Sequence, residues 1–148
     1  MTSQLNVDTI VDKAGSSGPS LPNTTTIKIG NTSTYVSDGG NVTQNTVQSL
    51  IKCWFNYKGT DDVFRDTFNV ASSTDNGTGY YTITFTNAMS NDDYSRTCCA
   101  GENANTGGNR VAGLRLPATG SFNIVIYNTS GGINDVADLC GSTQGDLA

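Results

Sequence analysis

Side chains able to do acid–base or metal chemistry are few in this sequence. The 148-residue chain contains no histidine. Ser-His-Asp and Cys-His nucleophile systems, and metal sites built on imidazole, are therefore ruled out by composition. Two acidic pairs remain, Asp61-Asp62 and Asp92-Asp93. At a suitable separation such carboxylates act as general acid and base, or as oxygen ligands for calcium. Neighbours in a strand point to opposite faces, however, and neighbours in a turn are solvated, so both pairs are expected to decorate turns. The four cysteines, Cys53, Cys98, Cys99 and Cys140, fit no Cys-x-x-Cys spacing, and free, buried thiols are expected for assembly in a reducing cytoplasm. Neither of the glycine-rich phosphate-cradling patterns occurs. No catalytic residue, cofactor or metal is assigned, and the chain is expected not to be an enzyme.

Aromatic side chains are the other candidates for chemistry, as faces on which a sugar or a partner protein can stack. Trp54, Phe55, Tyr57, Tyr80 and Tyr81 are expected to divide between a core and a subunit interface, with Trp54, Tyr57 and Tyr80 as the interface candidates. Tyr80 and Tyr81 are adjacent in a strand pattern and must face opposite ways. Residues 101–109 form a Gly/Asn-rich break, the expected variable loop tip. Asn103, Asn105 and Asn109 are its candidate receptor contacts. Five Asn-x-Ser/Thr triplets, at Asn23, Asn31, Asn41, Asn76 and Asn128, are chance matches in a chain this rich in Asn and Thr.

The elements that must position these residues read as strands. Thr, Ser, Asn and Gly make up nearly half the chain, and only one glutamate is present. Leu, Ile, Val and Phe amount to about a fifth of it, near the floor for autonomous folding. β-Branched Thr and abundant turn formers suit short strands joined by turns. Residues 80–86 alternate Tyr81, Ile83 and Phe85 against Tyr80, Thr82, Thr84 and Thr86. Residues 121–127 alternate Phe122, Ile124 and Ile126. Strands are also expected over 3–12, 24–30, 94–100 and 110–116, and around Val136 and Cys140. Asp75-Asn76-Gly77 is a hairpin-turn signal. Residues 47–54 permit two readings. Val47, Leu50, Ile51 and Trp54 fall at helical spacing, with Asn41 or Thr43 as cap. Alternatively a turn ends near Leu50, and a strand from Ile51 to Lys58 puts Cys53, Phe55 and Tyr57 on one face. The expected fold is all-β: an extended N-terminal arm over 1–50 and a jelly-roll-like β-sandwich over 51–148.

The net charge of −5 and the absence of a basic stripe argue against nucleic acid as a partner. No apolar run is long enough for a spanning helix, so membrane insertion is not expected. The first ten residues lack the basic and apolar regions of an export signal, so synthesis in the cytoplasm is expected.

Three consecutive stretches carry a family resemblance. The first is Cys53-Trp54-Phe55-Asn56-Tyr57-Lys58-Gly59-Thr60. The second is Arg65-Asp66-Thr67-Phe68-Asn69-Val70-Ala71-Ser72. The third is Thr74-Asp75-Asn76-Gly77-Thr78-Gly79-Tyr80-Tyr81-Thr82-Ile83, followed by Phe85-Thr86-Asn87-Ala88-Met89 and Asp93-Tyr94. The succession resembles a module of tail-fibre and tail-fibre-like proteins of tailed bacteriophages. Asn128-Thr129-Ser130-Gly131-Gly132 and the opening Leu5-Asn6-Val7-Asp8-Thr9-Ile10 fit as well. The strong match covers about residues 48–94. It departs from the pattern at Ser90, where a proline usually follows Ala-Met, and in being far shorter than a whole fibre. The resemblance implies a homotrimeric virion protein, made in the host cytoplasm and extracellular after lysis. In it the arm docks on other virion proteins through Leu5, Val7, Ile10 and Val11, and the sandwich meets a host surface glycan or protein. A capsid decoration or cement protein, and a carbohydrate-binding module, are the alternatives.

Overall fold

A computed structural model describes residues 29–30, 32–36, 43–101 and 109–148. They form an all-β protein of antiparallel sheets. A short ribbon, β1 (Thr34–Val36) with β2 (Thr43–Asn45), comes first, followed by one helical turn, α1 (Thr46–Ser49). Eight strands then make two four-stranded sheets. One has the order β4 (Val63–Phe68), β3 (Ile51–Lys58), β10 (Asp138–Gln144), β7 (Ser95–Gly101). The other runs β5 (Val70–Asp75), β6 (Tyr80–Phe85), β9 (Ser121–Asn128), β8 (Arg110–Ala118).

Between 47 and 58 the split reading is the one that forms. The helix lasts a single turn, capped by Asn45, whose Oδ1 accepts the Gln48 N–H at 2.8 Å. Of the caps expected for a longer helix, Asn41 lies outside the described residues and Thr43 belongs to β2. Lys52 ends the turn from the strand side, its ammonium donating to the carbonyls of Val47 and Leu50, where helix C-termini favour a cation. Continuing the helix would have scattered Cys53, Phe55 and Tyr57; the strand buries all three together.

The two sheets close over those residues. Phe55 faces Phe122 across the sandwich at 6.4 Å between ring centroids, and Tyr57 meets Tyr81 edge-on at 5.3 Å. Ile83, Phe85, Ile124, Ile126, Val136 and Leu139 complete the core. Gly141 in β10 makes room: a Cβ there would stand 2.6 Å from Phe55 Cζ. Both buried phenols find carboxylates at the rim. Tyr57 donates to Asp62, and Tyr81 to Asp135 at 2.8 Å, which also accepts the Gly79 N–H at 2.6 Å. Burial, reinforced by these carboxylates, raises both phenol pKa values.

The β-sandwich expected over 51–148 forms, and its first and last strands, β3 and β10, lie side by side. The pairs β3–β4, β5–β6 and β8–β9 stay in one sheet as hairpins, because the turns between them are short and close locally. The stretch from Val63 to Asp75 is not one strand. Asn69, at φ 58°, breaks it into β4 and β5 in different sheets. Its side chain exchanges hydrogen bonds with the Asn87 backbone at 2.7 and 3.1 Å. Asn is among the few side chains at ease in that left-handed conformation.

Candidate binding groove on an outer sheet face

The alternation that buries Tyr81, Ile83 and Phe85 sends Tyr80, Thr82 and Thr84 to the outside of the same sheet. On β9 the outward set is Asn123, Val125 and Tyr127; on β8 it includes Val111, Gly113 and Arg115. Register aligns them in rows. Thr82, Asn123 and Arg115 form one, Tyr80, Val125 and Gly113 the next, and Tyr127 and Val111 a third. A groove of about 510 Å³ lies over these rows, with Val125 as floor, Tyr80 and Tyr127 as ring walls, and Arg115, Leu116 and Ile133 at its edges.

Each wall has a local cause. Asn123 Nδ2 donates to Tyr80 Oη at 2.8 Å and to Thr82 Oγ1 at 3.2 Å, which fixes the Tyr80 ring. Arg115 donates to Tyr127 Oη, with its guanidinium carbon 5.8 Å from that ring's centroid, a cation–π placement. Tyr127 lies close over Gly113, where a Cβ would come within 3.3 Å of the ring. Leu116 reaches the rim through a bulge between Arg115 and Ala118, with a φ of 41° and two-thirds of its surface exposed. Bulges in edge strands re-aim side chains in this way.

Ile133 is brought in by the turn after β9. Asn128 Oδ1 accepts the N–H groups of Ser130 and Gly132, and its Nδ2 donates to Asn134 at 2.7 Å. The segment then rests on Gly79 (φ +62°), so closely that a Cβ would meet the Asn134 carbonyl oxygen at 2.5 Å. Asp75-Asn76-Gly77 makes the hairpin turn leading into Tyr80, with Gly77 N–H bonded to Asp75 Oδ1 at 2.8 Å. The strings Asp75 to Tyr80 and Asn128 to Gly132, noted above for their resemblance, thus build neighbouring walls of one groove. Leu116 and Ile133 were not legible as its members, because a bulge re-aims the first and the turn after β9 carries the second.

The three aromatic interface candidates are not brought together. Trp54 lies on the outer face of the first sheet, paired across the strands with Phe68, which is half exposed. Tyr80 lies on the outer face of the second. Tyr57 is corrected: it is fully buried between the sheets, occupied with Tyr81 and Phe64, and is a core residue. A second apolar surface gathers Val47, Leu50, Ile51, Phe68 and Leu147 around a hollow of about 400 Å³ beside α1. Of the other expected contacts, Asn109 is exposed just before β8. Asn103, Asn105, Leu5, Val7, Ile10 and Val11 lie outside the described residues, as do the strands expected over 3–12 and most of 24–30.

The acidic pairs have structural tasks or none. Asp61 bonds Lys58 and Thr60, which hold its carboxyl below the usual range. Asp62 receives Tyr57 and Ser73. Asp92 and Asp93 are exposed. Among the described residues no group of three or more His, Cys, Asp or Glu is placed to hold a metal, and no helix is long and apolar enough to cross a membrane.

All four cysteines are free thiols. Cys53 and Cys98 are pushed up to about 12 by burial, whereas the expectation of burial is corrected for Cys99 and Cys140, which are exposed and sit opposite each other on β7 and β10. Thiolate is the reactive form. An aromatic disulfide reagent should therefore titrate the two exposed thiols of the native chain quickly, and Cys53 and Cys98 only after unfolding. Fast reaction of all four in the native state would contradict this placement.

Comparison of the chain with family models, with curated proteins and with solved structures returned no match.

Proposed function

We propose that the chain is a non-catalytic structural protein of a tailed-phage particle, a tail-fibre-like appendage that assembles as a homotrimer and contributes to host attachment. One observation carries this reading. The sandwich closes its own core, yet it leaves two separate apolar surfaces on its outside. Apolar side chains exposed together in this way are candidates for interaction sites. The surface formed by Leu50, Ile51, Phe68 and Leu147, with Trp54 nearby, serves contact between subunits. It includes Val47 and Leu50, from the end of the segment expected as the arm. The groove with Tyr80, Tyr127 and Arg115 is left to face the host. Three copies of a weak site then act together through avidity.

The test is quantitative mass spectrometry of purified particles from the source of the gene. A fibre role predicts a few tens of copies per particle, or fewer. Hundreds of copies would replace it with capsid decoration, and absence from particles would overturn the virion reading. The groove itself favours a second reading, a monomeric saccharide-binding module, which absence from particles would support.

A further inference from the structure

We propose that the groove on the outer face of the second sheet binds an acidic saccharide, a pyranose whose ring carries a carboxylate, with Arg115 as the residue that selects the acid. This rests on the attachment reading and names its ligand class.

The volume is that of small-molecule sites, which are mostly apolar and carry a few placed polar groups. Val125 and the rings of Tyr80 and Tyr127 supply apolar faces matching the C–H face of a sugar ring. Their phenol oxygens are the polar groups beside them. Arg115 is the cation of the groove. It is half of no ion pair with a described carboxylate and donates instead to the neutral Tyr127 hydroxyl. No acidic residue lines the groove. A guanidinium held by a ring, with donors to spare, matches a carboxylate in charge and in its forked geometry.

A saccharide is favoured over an acidic peptide by where the groove lies. Peptides recognised as added strands need the unpaired backbone of a sheet edge. The floor here is a sheet face, where β9 is paired to β6 on one side and to β8 on the other. The main-chain groups of β9 are already used, so at the floor only side chains meet the ligand.

The experiment is a titration of the ¹⁵N-labelled full chain followed by amide chemical shifts. The probes are α-1,4-linked trigalacturonate, its neutral counterpart α-1,4-linked galactotriose, and triglutamate. The expected result is binding of trigalacturonate with shifts centred on Gly113, Val125 and Tyr127, and at least tenfold weaker binding of the other two. Arg115→Gln should abolish that preference while leaving the remaining spectrum in place, since the guanidinium bonds the Tyr127 hydroxyl outside the core. Equal affinity for the neutral sugar, equal affinity for triglutamate, shifts mapping elsewhere, or no binding of trigalacturonate would each overturn the proposal. The titration reads ligand class alone, whereas the virion role is read from particles, so either can fail without the other.

Discussion

Replacing Phe55 by alanine should lower the unfolding free energy by about 3–5 kcal/mol, the range for emptying a buried aromatic site. Phe55 is 2 % exposed and stands where the two sheets meet. Its ring is 6.4 Å from those of both Phe64 and Phe122 and lies over Gly141. Phe122 and Gly141 stand on inner strands bonded on both sides, so collapse into the space is limited and the cavity persists. Phe55→Leu keeps most of the volume and should cost roughly 1–1.5 kcal/mol. Urea unfolding followed by tryptophan fluorescence measures both, because Trp54 is the adjacent residue. A loss below about 1 kcal/mol for the alanine variant would mean that the sheets do not pack on this ring.

Gly79→Ala should be nearly as damaging, for a different reason. At φ +62° an alanine suffers the left-handed penalty of about 1–2 kcal/mol. Its Cβ would also stand 2.5 Å from the Asn134 carbonyl oxygen and 2.7 Å from Ile133 Cγ2. The oxygen belongs to the backbone and cannot rotate aside. The turn after β9 must therefore lift, weakening the Gly79 N–H bond to Asp135 and, through it, the anchor of the Tyr81 phenol. A total loss of about 2–4 kcal/mol is expected from strain and overpacking together. Because Ile133 moves with that turn, the saccharide binding proposed for the groove should be lost even where the fold survives. Gly120→Ala is the control: a Cβ there meets nothing within 4 Å, and the change should stay within about 0.5 kcal/mol. Equal effects at the two glycines would contradict the close approach at Gly79.

The contrast between these residues and the groove shows what was legible in the sequence. Period-two alternation marked Cys53, Phe55 and Tyr57, then Tyr81, Ile83 and Phe85, then Phe122, Ile124 and Ile126 as single faces, and those faces form the core. Alternation cannot say what a face meets, and so Tyr57 was expected at a subunit interface although it is sealed between the sheets. Strand order was not readable, since it depends on pairings such as β3 with β10, more than 80 residues apart. The Asn69 corner was hidden because a single left-handed residue leaves no periodic trace. Tyr80 could be placed outward by parity alone. Its partners Arg115, Leu116, Tyr127 and Ile133 come from an edge bulge, a neighbouring strand and a turn, and only the folded register brings them together.

The measurement that bears most directly on the central claim, a self-assembling attachment protein, is the mass of the purified chain in solution, by light scattering with native mass spectrometry. The account predicts a stable trimer of about 46 kDa, three times the 15.5 kDa chain. It also predicts that Phe68→Asp, placed in the exposed surface beside Trp54, dissociates that trimer without unfolding the sandwich. A well-folded monomer of 15.5 kDa across the accessible concentration range would contradict it, leaving a monomeric binding module in its place.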